Sequence, residues 1–114
     1  MGSSMDIRGT NEGFTVSVAV EGVRAAVELV GELDLYGSEQ LEAELSKLPY
    51  GRIEGVDLDA GRLTFIDSAG LRALLVCRDE CRRRGVEFRL TSVSPTVGRI
   101  VAIAGVDDVL PGDG

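Results

Sequence analysis

The residues with the most chemical potential lie in one short stretch, Phe65-Ile66-Asp67-Ser68-Ala69-Gly70-Leu71. A serine flanked by a carboxylate and two small residues, at the start of an apolar-periodic segment, is a helix-entry pattern. Its hydroxyl would lie among backbone N–H groups that have no helical partner. Two readings stand at Ser68. It is an N-cap worth about 1 kcal/mol, or it is a phosphoacceptor whose small neighbours Ala69 and Gly70 leave the hydroxyl uncrowded. A phosphate there would add about −1.5 to −2 charges near the positive end of the helix dipole. Asp67 either favours the same dipole or holds the loop. Asp34, in the Gly31-Glu32-Leu33-Asp34 segment, reads as a turn residue bonding its own backbone.

Other chemistries are excluded or weakened by composition. The chain contains no histidine, which removes Ser-His-Asp and Cys-His catalysis together with the usual zinc hydrolase sites. Cys77 and Cys81 are the only cysteines, and their i, i+4 spacing fits neither a zinc pattern nor a C-x-x-C redox motif. They read as reduced core thiols. No G-x-S-x-G elbow, phosphate-binding G-x-x-x-x-G-K-[ST] loop or G-x-G-x-x-G fingerprint is present. Neither a metal nor a cofactor is implied. Twelve basic against nineteen acidic residues give a net charge of −7 in 114 residues, a balance that opposes nucleic-acid binding. Arg82-Arg83-Arg84 reads as complementing the C-terminal end of a helix dipole. The apolar runs are too short and too often interrupted for a membrane span.

The elements that must position Ser68 follow from periodicity. Residues 14–20 alternate with period two, Glu21-Gly22 marks a tight turn, and Val23 to Val30 is again β-rich. Gly31 to Gly37 reads as a loop. Ser38 to Leu48 reads as a helix through Leu41, Leu45 and Leu48, ended by Pro49-Tyr50-Gly51. Ile53 to Asp59 is a strand, and Leu63 to Ile66 leads into a second helix running to about Arg84, with Gly85 as its stop. Leu71, Leu74, Leu75 and Cys81 mark its buried stripe, Arg78 falls within that arc, and Val76 is the one apolar residue on its outer face. Val86 to Leu90 is a further strand. Ser94-Pro95 opens a third helix with Val97, Ile100, Val101 and Ala104 inward; Gly105 closes it, and Val106 to Leu110 forms a closing turn.

The predicted order is β-β-α-β-α-β-α. It gives a single α/β domain with a four-stranded mixed sheet and helices mainly on one face. Residues 1–4 read as an appended leader and 5–114 as the domain, with its core at about 14–110.

The segments Val30-Gly31-Glu32-Leu33-Asp34, Val56-Asp57-Leu58 and Phe65 to Leu71 together resemble the STAS family, the sulphate transporter and anti-sigma factor antagonist domain. Gly85-Val86, Ser94-Pro95-Thr96-Val97 and Gly105-Val106 match in order and spacing, so the resemblance spans about residues 14–110. It implies a bacterial, cytoplasmic, non-enzymatic binding module. Its partner would be a protein that is both anti-sigma factor and ATP-dependent serine kinase. The unmodified module binds that partner and frees a sigma factor for transcription; phosphorylation of Ser68 releases it, and a phosphatase resets it. The implied partner surface comprises Asp34, Asp67, Ser68, Ala69 and Gly70. Two departures stand out. Ala69 occupies a position where many members carry a hydroxyl residue, and Leu35-Tyr36-Gly37 follows Asp34 where relatives often carry small residues. The family also implies an alternative, a regulatory module of a stress-sensing complex or of lipid or anion transport, without a phospho-switch.

Overall fold

Phe14, Val16, Val18 and Val20 are buried, while Thr15, Ser17 and Ala19 between them are partly exposed. This is the period-two signature of a strand with one face on a core. It forms β2 (Phe14–Glu21), which pairs antiparallel with β3 (Arg24–Leu33) in the register Glu21↔Arg24 to Phe14↔Gly31. The two-residue connection is Gly22-Val23. Gly22 has φ +61° and Val23 is not left-handed, the pattern of a type II′ hairpin turn. The computed structural model describes residues 5–11, as backbone, and 13–103.

A strand absent from the sequence reading precedes this hairpin. β1 (Met5–Asn11) pairs antiparallel with β2 from Met5↔Val20 to Asn11↔Phe14. The described sheet therefore has five strands rather than four, in the order β1-β2-β3-β4-β5. Met5 to Asn11 carries only two large apolar residues, so its intrinsic signal is weak. The open hydrogen-bonding edge of β2 supplies what propensity does not.

The remaining elements are α1 (Leu35–Leu45), a 3-10 turn at Tyr50–Arg52, β4 (Gly55–Ile66), α2 (Ser68–Arg83), β5 (Glu87–Val93) and α3 (Pro95–Ile103). β3, β4 and β5 are mutually parallel, as the two helical crossovers require. Three boundaries differ from the sequence reading. β3 runs on to Leu33 and α1 starts at Leu35, so the loop expected over 31–37 does not exist and the helix lies three residues early. β4 is one long strand where a strand and a separate lead-in were expected. Its register shifts against β3 between Glu28 and Val30 and again between Gly31 and Glu32; Asp59 Oδ1 accepts the Gly61 N–H at 2.8 Å beside the irregularity. The chain bulges through this stretch without leaving the sheet. β5 extends to Val93, beyond the expected Leu90.

The predicted stop of α2 and the predicted start of α3 hold. Gly85 has φ +72°, the Val86 N–H donates to the Cys81 carbonyl at 2.8 Å and the Gly85 N–H to that of Arg82 at 3.2 Å, which is a complete Schellman motif. Ser94 Oγ accepts the Val97 N–H at 3.3 Å at the start of α3. Inward residues of β2 to β5 share one core with Leu41 and Leu45 of α1, Ala73, Leu74, Cys77 and Cys81 of α2, and Val97 and Val101 of α3. Arg78 lies with its side chain only 16% exposed, its Nε 3.2 Å from Asp79. The leader expected at 1–4, Ala104, Gly105 and the closing turn expected at Val106 to Leu110 lie outside the described residues.

Candidate functional site

Two strand ends side by side make the site. Leu33 of β3 and Ile66 of β4 are register partners, and the Asp67 N–H donates to the Leu33 carbonyl at 3.3 Å. Each strand then passes through one aspartate straight into a helix. Asp34 (φ −102°, ψ −165°) and Asp67 (φ −108°, ψ −172°) adopt nearly the same extended conformation. Each caps its helix through the amide three residues on: Asp34 Oδ1 accepts from the Gly37 N–H at 2.9 Å, and Asp67 Oδ1 from the Gly70 N–H at 2.8 Å. The segments Asp34-Leu35-Tyr36-Gly37 and Asp67-Ser68-Ala69-Gly70 are thus two copies of one strand-to-helix turn, placed side by side at the C-terminal edge of a parallel pair. In open α/β sheets that edge is the usual place for binding.

This geometry settles the role of each predicted residue in the fold. Ser68 is not the N-cap; Asp67 is, and Ser68 is the first residue of α2. The Ser68 residue is exposed, and its hydroxyl makes no hydrogen bond among the described residues. Its backbone lies in the first turn, where amides lack helical acceptors. Asp34 does bond local backbone, as its turn reading states, and remains half-buried at the same edge as Asp67. Ala69 is half-buried. Gly70 is buried, so its part is positional: a Cβ there would lie 2.2 Å from the Leu33 carbonyl oxygen and 2.9 Å from Ile66 Cγ1. Without a glycine, α2 could not start so close to β3.

The edge also carries apolar surface. Leu35 is 51% exposed, Tyr36 68% and Phe65 46%. The run Leu35-Tyr36-Gly37 stands out in the sequence as a departure, though nothing there places Leu35 at the surface; Phe65 does not stand out. The signal that could have found Leu35 is the repeated D-x-x-G spacing, which makes it the counterpart of Ser68 and therefore a first-turn, outward position.

Elsewhere the described residues offer little chemistry. No group of three or more acidic or Cys side chains among them could hold a metal ion. Burial raises the Cys77 thiol to about 12 and the Cys81 thiol to about 11, which keeps both protonated and unreactive. A cleft of about 210 Å³ lies between α1 and α2, lined in part by Leu45, Tyr50, Val76, Cys77 and Arg84, towards the end of α2 remote from Ser68. Arg84 stacks over the Tyr50 ring there at 4.6 Å. No described helix is long and apolar enough to cross a membrane.

Comparison with known proteins is consistent across sequence and structure. The family model described as "Mlab, STAS domain" matches residues 16–111. BtrV of Bordetella bronchiseptica, which carries the name of an anti-sigma factor antagonist, is 36% identical over 83 residues, covering 73% of this chain and 72% of its own. An anti-sigma F factor antagonist of Paenibacillus polymyxa is 29% identical over 86 residues, covering 75% of this chain and 74% of its own. Among solved structures, the anti-sigma factor antagonist SpoIIAA in its unphosphorylated form superposes with a TM-score of 0.70 at 22% identity, over 96% of this chain and 89% of that one. Its phosphorylated form gives a TM-score of 0.65 at 22% identity, over 96% and 92%. The fold, the paired strand-to-helix turns and these matches agree: this chain belongs to the STAS domain family.

Proposed function

We propose that this protein is an anti-sigma factor antagonist, a binding module rather than an enzyme, which is switched by phosphorylation of Ser68. One observation carries the reading: the Ser68 hydroxyl is exposed and has no structural task, because Asp67 does the capping that would otherwise explain a serine there. The names of the relatives from Bordetella bronchiseptica and Paenibacillus polymyxa point the same way. The partner is an anti-sigma factor that is also a serine kinase using ATP, and a phosphatase restores the unmodified form. Both would act in the cytoplasm.

Physically, the partner covers Ser68, Ala69, Asp34 and Asp67 together with the apolar ring of Leu35, Tyr36 and Phe65. Aromatic side chains such as Tyr36 and Phe65 are enriched in interface cores. A phosphate placed at its middle brings about two negative charges next to Asp67 and Asp34. Desolvation and like-charge repulsion then oppose docking. A tenfold loss of affinity needs only about 1.4 kcal/mol, so the fold need not move.

The test uses unmodified protein, Ser68→Ala and Ser68→Asp as baits in lysate of the native host. Retained proteins are identified by mass spectrometry, and the recovered kinase is assayed for ATP-dependent phosphorylation of Ser68. The expected result is that the first two baits retain an ATP-binding kinase that modifies Ser68, while Ser68→Asp binds it at least tenfold more weakly. Equal recovery on all three baits, or modification elsewhere, overturns the proposal.

A further inference from the structure

Ser68, Arg72 and Val76 follow one another at i, i+4 and i+8 along the exposed ridge of α2. Residues four apart on a helix have Cβ atoms about 5–6 Å apart and face the same way. Arg72 is unusual among the arginines of this region. Arg78 lies against Asp79, and Arg83 and Arg84 both engage Glu80. Arg72 makes no ion pair or hydrogen bond among the described residues. The helix dipole does not account for it either, since cations are favoured at the other end of a helix. An exposed, unpartnered guanidinium thus stands one turn from an exposed, unpartnered hydroxyl, on the side of that hydroxyl away from Asp67.

We propose that Arg72 is the built-in clamp for a phosphate on Ser68, donating charge-assisted hydrogen bonds to the phosphate oxygens along the α2 ridge. The inference rests on Ser68 being the modified residue. An anion N-terminal to a cation at this spacing is the favoured orientation, and a guanidinium fork matches phosphate geometry. The Ser68 and Ala69 amides of α2 approach the phosphate from the other side, whereas the Gly70 and Leu71 N–H groups are taken by the Asp67 side chain and carbonyl. Modification would then change the docking edge twice over. It adds an anion at Ser68, and it withdraws the Arg72 cation from whatever acidic group a partner offers it.

The clamp is tested on the full chain with phosphoserine installed at position 68 during translation, so that no kinase is needed. The second ionisation of the phosphate, near pH 6 in a free phosphoserine, is followed by ³¹P NMR in the parent, Arg72→Gln and Arg72→Lys. A nearby cation favours the dianion, so its removal raises the midpoint. Asp67 beside Ser68 and Asp34 at the start of α1 act in the opposite sense and are common to all three proteins. The expected rise in Arg72→Gln is about 0.3 pH units at low salt. Arg72→Lys should recover part of it, and 1 M salt should largely abolish the difference. An identical midpoint in the parent and Arg72→Gln overturns the clamp, as does a difference insensitive to salt. Unmodified Arg72→Gln should melt with the parent, because the side chain has no ion pair or hydrogen bond to lose among the described residues. A shifted midpoint with equal pull-down on every Ser68 bait would sink the switch and spare the clamp. The reverse pattern would sink the clamp alone.

Discussion

At the scale of single residues, the constraint on the site is carried by Gly70. Its amide satisfies the Asp67 cap, and its missing side chain lets α2 start against the Leu33 carbonyl. A backbone oxygen 2.2 Å from a new Cβ cannot move aside as the end of a flexible side chain can. Gly70→Ala should therefore destabilise the protein by about 1–3 kcal/mol. Urea denaturation should show a lower midpoint with an unchanged slope; a variant as stable as the parent would mean that the strand end yields easily. The sequence points to Gly70 as a small neighbour that leaves Ser68 uncrowded, which is true of the type of residue but not of the cause. The cause is a carbonyl on another strand, invisible to any local window. The same limit applies at Asp67 and Ser68. Both types cap helices well, and only the backbone path into α2 decides between them.

At the scale of elements, the open face of the sheet holds an ion network that ties the parallel strands together. Asp57 of β4 accepts from Arg24 Nε at 2.9 Å and Nη2 at 2.8 Å, both from β3, and from Arg89 Nε of β5 at 3.0 Å. Arg24 also reaches Glu87 at 3.1 Å and lies across Gly55, where a Cβ would meet the guanidinium. Hydrogen bonding from Arg24, with a further contribution from Arg89, lowers the Asp57 carboxyl from 3.8 to about 2. A carboxyl depressed in the folded state stabilises the fold fully above its unfolded value, and that stabilisation is lost as pH falls through the folded value. The melting temperature of the parent should thus drop between pH 4 and pH 2 more steeply than that of Asp57→Asn. Parallel pH profiles for the two proteins would show that the network contributes nothing in this window. Among the elements, those with strong punctuation are legible in the sequence: the Gly22 hairpin, the Gly85 stop and the Ser94-Pro95 start. β1, the frame of α1 and the continuity of β4 are not, because each is decided by pairing to a neighbouring strand. Gly31 and Gly37 look like a loop in isolation, yet Gly31 sits in the ladder and Gly37 supplies the amide that Asp34 caps.

At the scale of the whole molecule, one core joins the sheet to all three described helices, so the edge that carries Ser68 is mounted on a single packed body. Cys77 and Cys81 lie in that core, 5% and 1% exposed. Their protonated, buried thiols should react with an aromatic disulfide reagent only when the whole molecule opens. The labelling rate should rise with urea in step with global unfolding monitored by circular dichroism. Rapid labelling of the native protein would instead reveal local opening of α2, and with it a less rigid edge around Ser68. A rigid edge suits the charge switch proposed for Ser68.

Local chemistry along the chain determined much of this protein. The alternation of β2, the glycine punctuation, the aspartate-to-glycine spacing before α2, the absence of histidine and the acidic balance all act over a few residues or over the whole composition. They sufficed for an α/β domain with three helices and a mixed sheet and for Ser68 as the residue of interest, while the resemblance of the segments around Asp34, Asp57 and Ser68 pointed to the family. Only the tertiary structure decided which residue caps α2, why position 70 must be glycine, that Leu35 and Phe65 lie exposed with Tyr36 at the edge that carries Ser68, and that a fifth strand closes onto β2. Each of these depends on two segments far apart in the chain coming within hydrogen-bonding or van der Waals distance. Hydrophobic periodicity says which face of an element is buried, but not which neighbour it is buried against.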